Sequence, residues 1–259
     1  MGYGYLFDTT LCIGCESCMD ACHEEHQQPD TENYELSDKN FTVVKNKTIS
    51  DEDIYYRRMC MHCENPSCAS VCPVGAFQKT KEGPVIYDGS LCMGCRYCMV
   101  ACPFDVPKYE WSKALPLVKK CDMCYDRIKQ GKQPACAEAC PTGATLFGKR
   151  EELIEIARER LKNDKDKYYP YIYGLKEAGG TSLLYISSVP ITELGFKMKG
   201  FQEAFPQYTW KVMKEIPNVV TFGGVFLYGL SWIINRRIKL EKMNADGNGN
   251  NGIHPEEEE

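Results

Sequence analysis

Most of this chain carries only short apolar runs, which predict short strands and helices. The runs at 41–44, 85–88 and 145–147 predict strands. Residues 151–162 have apolar positions at helical spacing and acidic residues in the first turn, which predicts an amphipathic helix. The apolar run at 183–189 predicts an exposed strand or an extended arm.

One longer apolar run lies near the C-terminal end. Residues 217–234 contain no charged residue, a length at the short end for crossing a bilayer. Tyr228 and Trp232 suit a membrane interface, so we expect a transmembrane helix at 217–235; a buried helix of a soluble body is the alternative. Four basic residues follow the run and two precede it, which predicts a cytoplasmic C-terminus: Arg236, Arg237, Lys239 and Lys242 against Lys211 and Lys214.

Sixteen cysteines fall into four compact groups, and three of the groups end before a proline. The groups are Cys12, Cys15, Cys18, Cys22; Cys60, Cys63, Cys68, Cys72; Cys92, Cys95, Cys98, Cys102; and Cys121, Cys124, Cys136, Cys140. Three cysteines on a short loop with a fourth just beyond are typical of [4Fe–4S] ligands. At four thiolates per cluster, the chain is expected to bind four [4Fe–4S] clusters. Pro73, Pro103 and Pro141 are expected to fix the turn after the fourth ligand.

Disulfide bonds and zinc sites are two other uses of clustered cysteines. Disulfide scaffolds spread their cysteines along the chain, whereas these groups are too compact to pair internally with good geometry. Zinc sites combine two C-x2-C pairs and need no third cysteine in the loop and no fourth before proline. Of the neighbouring residues, His23, His26 and His62 are expected to lie beside the clusters or at the surface rather than ligate iron, and Asp105 and Lys108 to be solvated loop charges.

Composition narrows the class of partner. The net charge of -5, with no basic stripe, argues against nucleic acid. The first residues contain neither a basic nor an apolar signal region, so no signal peptide is expected there. The Arg57–Arg58 pair lies inside the chain and is not an export signal.

The second and third cysteine groups, with the strand at 85–88 between them, resemble a bacterial two-cluster ferredoxin. In that family the first three cysteines of one group share a cluster with the last cysteine of the other. The resemblance implies two clusters here, held by Cys60, Cys63, Cys68 and Cys102, and by Cys72, Cys92, Cys95 and Cys98. By symmetry, the first and last groups give Cys12, Cys15, Cys18 with Cys140, and Cys22 with Cys121, Cys124 and Cys136.

The expected fold is α+β: two ferredoxin-like dicluster modules, one inserted in the other, plus the C-terminal transmembrane helix. The outer module comprises 1–22 and 103–165, and the inner module 60–102. We expect a surface insertion at 23–59, a linker and arm at 166–216, the anchor at 217–235 and a disordered cytoplasmic tail at 236–259.

The segments RRMCMHCENPSCASVCPVGA, LCMGCRYCMVACPFDVPKYEW and KCDMCYDRIKQGKQPACAEACPTGATLFGKREEL resemble the four-cluster subunits of respiratory oxidoreductases. The resemblance covers residues 5 to about 235 and is strongest to iron–sulfur subunits of quinone-linked [NiFe] hydrogenases and to formate dehydrogenase-N beta subunits. The hydrogenase subunits carry a twin-arginine signal and the formate dehydrogenase subunits do not. The resemblance therefore implies export alongside a signal-bearing partner.

The resemblance implies a non-catalytic electron-transfer subunit of anaerobic respiration. Electrons would pass between a catalytic subunit, either a hydrogenase or a molybdenum- or tungsten-pterin protein, and a membrane cytochrome b or quinone-reactive subunit. The protein would lie on the inner membrane with its clusters in the periplasm. The alternatives are an iron–sulfur subunit of another molybdopterin oxidoreductase, such as a polysulfide or DMSO reductase type, or a stand-alone polyferredoxin. A catalytic role in this chain is disfavoured, since it has no dinucleotide fingerprint and no cysteine to spare.

Overall fold

The computed structural model describes residues 2–29, 33–197 and 203–247. They form two units that divide after Gln207. The strands are β1 (Tyr3–Asp8), β2 (Thr42–Ile49), β3 (Glu52–Met59), β4 (Phe77–Lys79), β5 (Val85–Tyr87), β6 (Lys108–Tyr109), β7 (Val118–Lys119), β8 (Thr145–Lys149) and β9 (Leu183–Ile186). The helices are α1 (Ser17–Glu25), α2 (Ser67–Ser70), α3 (Tyr97–Ala101), α4 (Tyr125–Lys129), α5 (Ala135–Glu138), α6 (Arg150–Asn163), α7 (Phe205–Met213) and α8 (Ile216–Gly247). The strands predicted at 41–44, 85–88 and 145–147 and the helix at 151–162 are confirmed, within a few residues at their ends.

The central sheet of the first unit has the order β8-β1-β9. β1 pairs antiparallel with β8 and parallel with β9. Leu6, Leu184 and Ile186 pack on one side with residues of α6, while Tyr5 and Tyr185 belong to the cysteine-containing core. Because both faces are covered, the strands read as continuous apolar runs rather than as an alternation.

The other strands form three two-stranded pairs, β2-β3, β4-β5 and β6-β7, all antiparallel. Helix α1 packs against α5, and α2 packs against α3. A strand pair with a helix pair therefore occurs twice: β1-β8 with α1 and α5, and β4-β5 with α2 and α3. The second set lies between the members of the first along the chain.

The strand predicted at 183–189 is present as β9, but its predicted exposure is wrong. Leu183 to Ile186 are all buried, because β9 completes the central sheet. The preceding stretch is also not a free linker, since Tyr168, Ile172 and Tyr173 are buried. An apolar run of this length does not reveal whether its two faces meet solvent or other elements.

The segment at 23–59 is only partly a surface insertion. Its second half forms the β2-β3 hairpin, whose side chains Val43 and Ile54 are buried. Arg57, on β3, is only 1% exposed. The sequence does not reveal this burial. The hairpin has many charged residues, and its buried side chains do not alternate regularly with exposed ones.

The second unit contains the predicted membrane segment. The helical stretch Pro206–Asn244 includes one window long and apolar enough to cross a membrane, and none of that window is buried. The alternative of a buried helix of a soluble body is therefore not supported. Helix α8 continues to Gly247, where a disordered tail was expected from residue 236, because residues 236–245 are mostly good helix formers. Residues 248–259 lie outside the described residues.

The approach of β1 to the residues before β9 gives a testable prediction. A Cβ on Gly4 would lie 2.3 Å from the carbonyl oxygen of Ser182. We expect Gly4→Ala to lower the free energy of unfolding by about 1–3 kcal/mol, because backbone must move. Thermal unfolding of the detergent-solubilised chain, followed by circular dichroism, should show a lower Tm.

Gly148→Ala is the matched control, because Gly148 faces Gly4 across the β1-β8 pair and its added Cβ would make an ordinary 3.7 Å contact with Leu153. We expect it to change stability by no more than about 0.5 kcal/mol. Equal Tm values for the two variants would contradict the close approach.

Candidate iron–sulfur sites

The four cysteine loops share one backbone feature. In each group the second residue after the first cysteine has a positive φ: Gly14 at 69°, His62 at 45°, Gly94 at 74° and Met123 at 66°. This left-handed residue turns the loop so that it curves around its own interior. For His62 and Met123, which are not glycine, the conformation costs about 1–3 kcal/mol each and persists only where the surroundings require it. The four groups therefore build the same kind of loop.

The turns after the fourth cysteine are also alike in three groups. In each, the N–H three residues on donates to the cysteine carbonyl: Gly75 to Cys72 at 3.3 Å, Asp105 to Cys102 at 3.2 Å and Gly143 to Cys140 at 3.4 Å. The proline stands second in each turn, where its fixed φ suits the geometry. This confirms the role expected of Pro73, Pro103 and Pro141. The first group has no such turn, because Cys22 lies inside α1.

The thiols of the inner module have neighbours from both of its cysteine groups. Burial raises the thiol pKa of Cys98 to about 11, and nearby Cys92, Cys95 and Cys72 contribute to that rise. Around Cys63 the thiol neighbours are Cys60, Cys102 and Cys68, which add to the effect of burial on its pKa. The neighbours of Cys98 and of Cys63 each include the last cysteine of the other group, and Cys98 also acts on Cys68.

The thiols of the outer module also have neighbours from both of its cysteine groups. Burial raises the thiol pKa of Cys12, and among the thiols Cys140 and Cys15 add to it. Burial raises the pKa of Cys124 to about 12, with Cys136 as the thiol neighbour. Cys18 is near Cys12 and Cys140, but Cys136 affects it more strongly. The two outer sets therefore adjoin.

These raised pKa values have a chemical consequence. The buried thiols are protonated at neutral pH in the metal-free chain, so binding iron must release protons. Backbone N–H groups are aimed at four of the sulfurs: Ala76 at Cys72 (3.2 Å), Gly94 at Cys92 (3.4 Å), Met123 at Cys121 (3.3 Å) and Thr145 at Cys140 (3.4 Å). Such donors favour the charged sulfur and tune cluster potentials.

The sixteen cysteines, all of which lie in the described residues, differ in their exposure to solvent. Only Cys15 and Cys95 are exposed. They belong to different modules, and each is the second cysteine of a C-x2-C-x2-C loop. Burial also raises the thiol pKa of Cys121, and both Cys22 of the outer module and Cys60 of the inner module contribute, so Cys121 lies where the modules meet.

The histidines occupy three different settings. The His23 ring lies 2.7 Å from the side-chain oxygen of Asn40, and His26 Nε2 lies 3.8 Å from Cys124 Sγ and 3.5 Å from Asp122. His26, Asp122 and Cys124 could by composition hold a metal ion. Cys124 is also a candidate cluster ligand, and the position of His26 beside its sulfur agrees with the expectation that these histidines lie close to the clusters. Asp105 is exposed and pairs with Lys108 at 2.8 Å, also as expected.

A buried atom of His62 tests whether the site fits a cluster. The Val85 N–H donates to His62 Nδ1 at 3.0 Å, which leaves the ring proton on Nε2. That Nε2 is buried and has no hydrogen-bond partner among the described residues. The ring stands next to Cys63 in the chain, so an added acceptor such as a cluster sulfide would satisfy it. All sixteen cysteines are free thiols, which also fits four-thiolate clusters.

Sequence reasoning missed several residues beside the thiols. Arg57 interacts electrostatically with the thiol of Cys136, and the hydroxyl of buried Tyr5 lies 3.8 Å from Cys136 Sγ. Asp8 is fully buried before the first cysteine loop and accepts hydrogen bonds from Arg160 at 2.7 Å and Tyr168 at 2.8 Å. Nothing in the sequence separates Arg57 from Arg58, and only the hairpin's packing decides which of the two is buried.

Comparison with known proteins agrees with this geometry. Two family models match, both described as a 4Fe-4S dicluster domain, over residues 11–76 and 52–150. A protein of Nitratidesulfovibrio vulgaris is 39% identical over 252 residues, covering 92% of this chain and 68% of the relative.

Two further relatives have informative names. Hydrogenase-2 operon protein HybA of Escherichia coli O157:H7 is 37% identical over 234 residues, covering 74% of this chain and 71% of the relative. The iron–sulfur subunit of the nitrate-inducible formate dehydrogenase of Escherichia coli K12 is 34% identical over 197 residues, covering 70% and 66%. The chain therefore belongs to the family of iron–sulfur electron-transfer subunits with 4Fe-4S dicluster domains, which serve multisubunit respiratory oxidoreductases and are not catalytic on their own.

Proposed function

We propose that this chain relays electrons through four [4Fe–4S] clusters between a catalytic subunit of hydrogenase or formate dehydrogenase type and a quinone- or cytochrome b-containing membrane subunit. The observation that carries the proposal is that four groups of free cysteines each form a loop with a left-handed residue at the same position, with one exposed thiol in each module. Clusters supply one-electron redox chemistry when bound. The chain supplies thiolates, donors to sulfur and a buried surrounding.

The ligand sets follow the crossed scheme, with the inner module inserted in the outer one. The supporting observations are the thiol neighbours of Cys98 and Cys63 and the repeated combination of a strand pair with a helix pair. The proposed order along the relay begins at the set with Cys15 and ends at the set with Cys95. The sets with Cys121 and Cys60 lie between, since Cys121 is near Cys60 and Cys68 is near Cys98.

The exposed thiols mark the two ends of the relay. Cys15 lies beside exposed Ile13, and Cys95 lies close to exposed Met93 and Tyr97. A cluster near the surface can exchange electrons with another protein, whereas a buried one can do so only with its neighbours. One end would accept electrons from the catalytic subunit, and the other would deliver them to the membrane subunit.

Purification of the chain with its partners, from membranes and without oxygen, tests the proposed function. We expect about sixteen iron atoms per chain. Nickel in a companion subunit would identify a hydrogenase, and molybdenum or tungsten with a pterin would identify a formate dehydrogenase or a related enzyme. About four iron atoms in intact protein would contradict the four-cluster relay.

Truncation before residue 216 separates the relay from its membrane partner. We expect the truncated complex to keep its iron and its catalytic reduction of a soluble dye, and to lose electron transfer to quinone. Retained quinone reduction would argue for another membrane attachment. A free, soluble, fully loaded chain would favour the polyferredoxin alternative.

The crossed ligand scheme predicts how paired cysteine variants lose iron. Cys60 and Cys102 would serve one cluster, so C60A/C102A should lose about four iron atoms, as C60A alone does. The control C60A/C92A removes ligands from two clusters under any scheme and should lose about eight. Iron and acid-labile sulfide in the purified complex give the answer. Equal losses in the two double variants would show that each group holds its own cluster.

The membrane orientation is part of the same proposal. The four basic residues after the apolar run, including Arg236 and Arg237, favour a cytoplasmic C-terminus and periplasmic clusters on the inner membrane. An epitope after Glu259 should be protected from protease in right-side-out vesicles and digested in inverted ones. Digestion in right-side-out vesicles would reverse the orientation.

A further inference from the structure

Arg57 is a fully buried guanidinium at the outer clusters' proposed site. Its Nε donates to Thr42 Oγ1 at 2.6 Å, and one terminal nitrogen donates to Thr145 Oγ1 at 3.3 Å. Its carbonyl accepts from the hydroxyl of Tyr185 at 2.6 Å. These contacts hold both the side chain and its backbone in one place.

No carboxylate offsets this charge. Among the ion pairs within 4.0 Å in the described part of the chain, none includes Arg57. The groups that act most strongly on the guanidinium are the thiols of Cys136 and Cys18. A buried charge without a partner is costly, and arginine does not lose its proton. The cysteines supply the counter-charge once they are thiolates that hold a cluster.

Two observations connect the guanidinium to the proposed ligands. Directly, it interacts electrostatically with the thiol of Cys136. Indirectly, Thr145 accepts from Arg57 through its hydroxyl while its N–H donates to Cys140 Sγ at 3.4 Å. Cys136 and Cys140 belong to different outer sets, so one cation lies near both.

We propose that Arg57 is the buried counter-cation of the two outer clusters and holds their reduction potentials above the values they would otherwise have. The inference rests on the proposed four-cluster function. A cluster with four thiolates is anionic and gains one more negative charge when it accepts an electron, with no proton required. A fixed cation nearby stabilises the reduced form more than the oxidised form.

The inner module has cations of its own. Lys79 is the cation that acts on the thiol of Cys63, and Lys120 the one that acts on Cys68. Lys120 is buried, and its Nζ donates to the carbonyls of Val85 and Cys121. Each module therefore has a cation of its own, and loss of Arg57 should change the outer clusters far more than the inner ones.

The test is a redox titration followed by electron paramagnetic resonance on the intact complex carrying Arg57→Gln. We expect the reduction equilibrium constants of the outer clusters to fall at least tenfold, which is about 59 mV for one electron, while the inner clusters keep theirs. Signals are assigned to the two outer clusters by their loss in C15A for one cluster and in C124A for the other.

Two variants separate charge from structure. Arg57→Lys keeps the charge and should restore most of the potential. Arg58→Gln is the matched control, because Arg58 is only half-buried and lies 5.0 Å from the ring of Phe196; it should leave all potentials unchanged. Iron content per chain is measured for each.

Several results would overturn the inference. Unchanged outer potentials in fully loaded Arg57→Gln would do so, as would an equal fall in Arg57→Lys. If Arg57→Gln loses the outer clusters, the Thr42→Val variant tests the inference instead. It keeps the charge of Arg57 but removes the acceptor of its Nε, and it should lower the outer potentials by a smaller factor. Unchanged outer potentials in Thr42→Val would also overturn the inference. Wild-type protein that lacks outer clusters would instead refute the proposed function.

Discussion

The convergence of thiols in a low-dielectric interior is the constraint on which the rest of this structure depends. The largest core contains Cys22, Cys60, Cys121 and Cys136 beside aromatic side chains such as Tyr5. The core around Cys98 consists of only four buried residues. A core this small buries little apolar surface, so metal binding and folding share one free energy there. The left-handed residues in all four loops are the backbone cost of bringing the thiols together.

The same constraint shapes the electrostatics. Bringing thiolates and clusters into the interior concentrates negative charge there, and the chain places cations without carboxylate partners beside it. Arg57 serves the outer module, and Lys120 lies at the boundary, where its Nζ reaches a carbonyl at Cys121. Backbone N–H groups aimed at sulfur act in the same direction. A relay of this kind is tuned by groups that never touch a substrate.

The central sheet shows why a segment remote from the cysteines matters. β9 arrives from the region after α6, pairs with β1 and sends Leu184 to one face and Tyr185 to the other. Tyr185 then fixes the Arg57 carbonyl, so the strand supports the site from a distance. Its apolar run was visible in the sequence, but its partner was not, because parallel pairing with the first strand leaves no local signal.

The sequence by itself determined the cysteine groups, the proline turns and the apolar C-terminal helix. Each of these is a local pattern, in which spacing or composition over a few residues decides the chemistry. Only the tertiary structure decided that the 183–186 strand is buried and that Arg57 and not Arg58 enters the interior. Those outcomes depend on which distant segments pack together, and a pattern of residues along one chain does not record its partners in space.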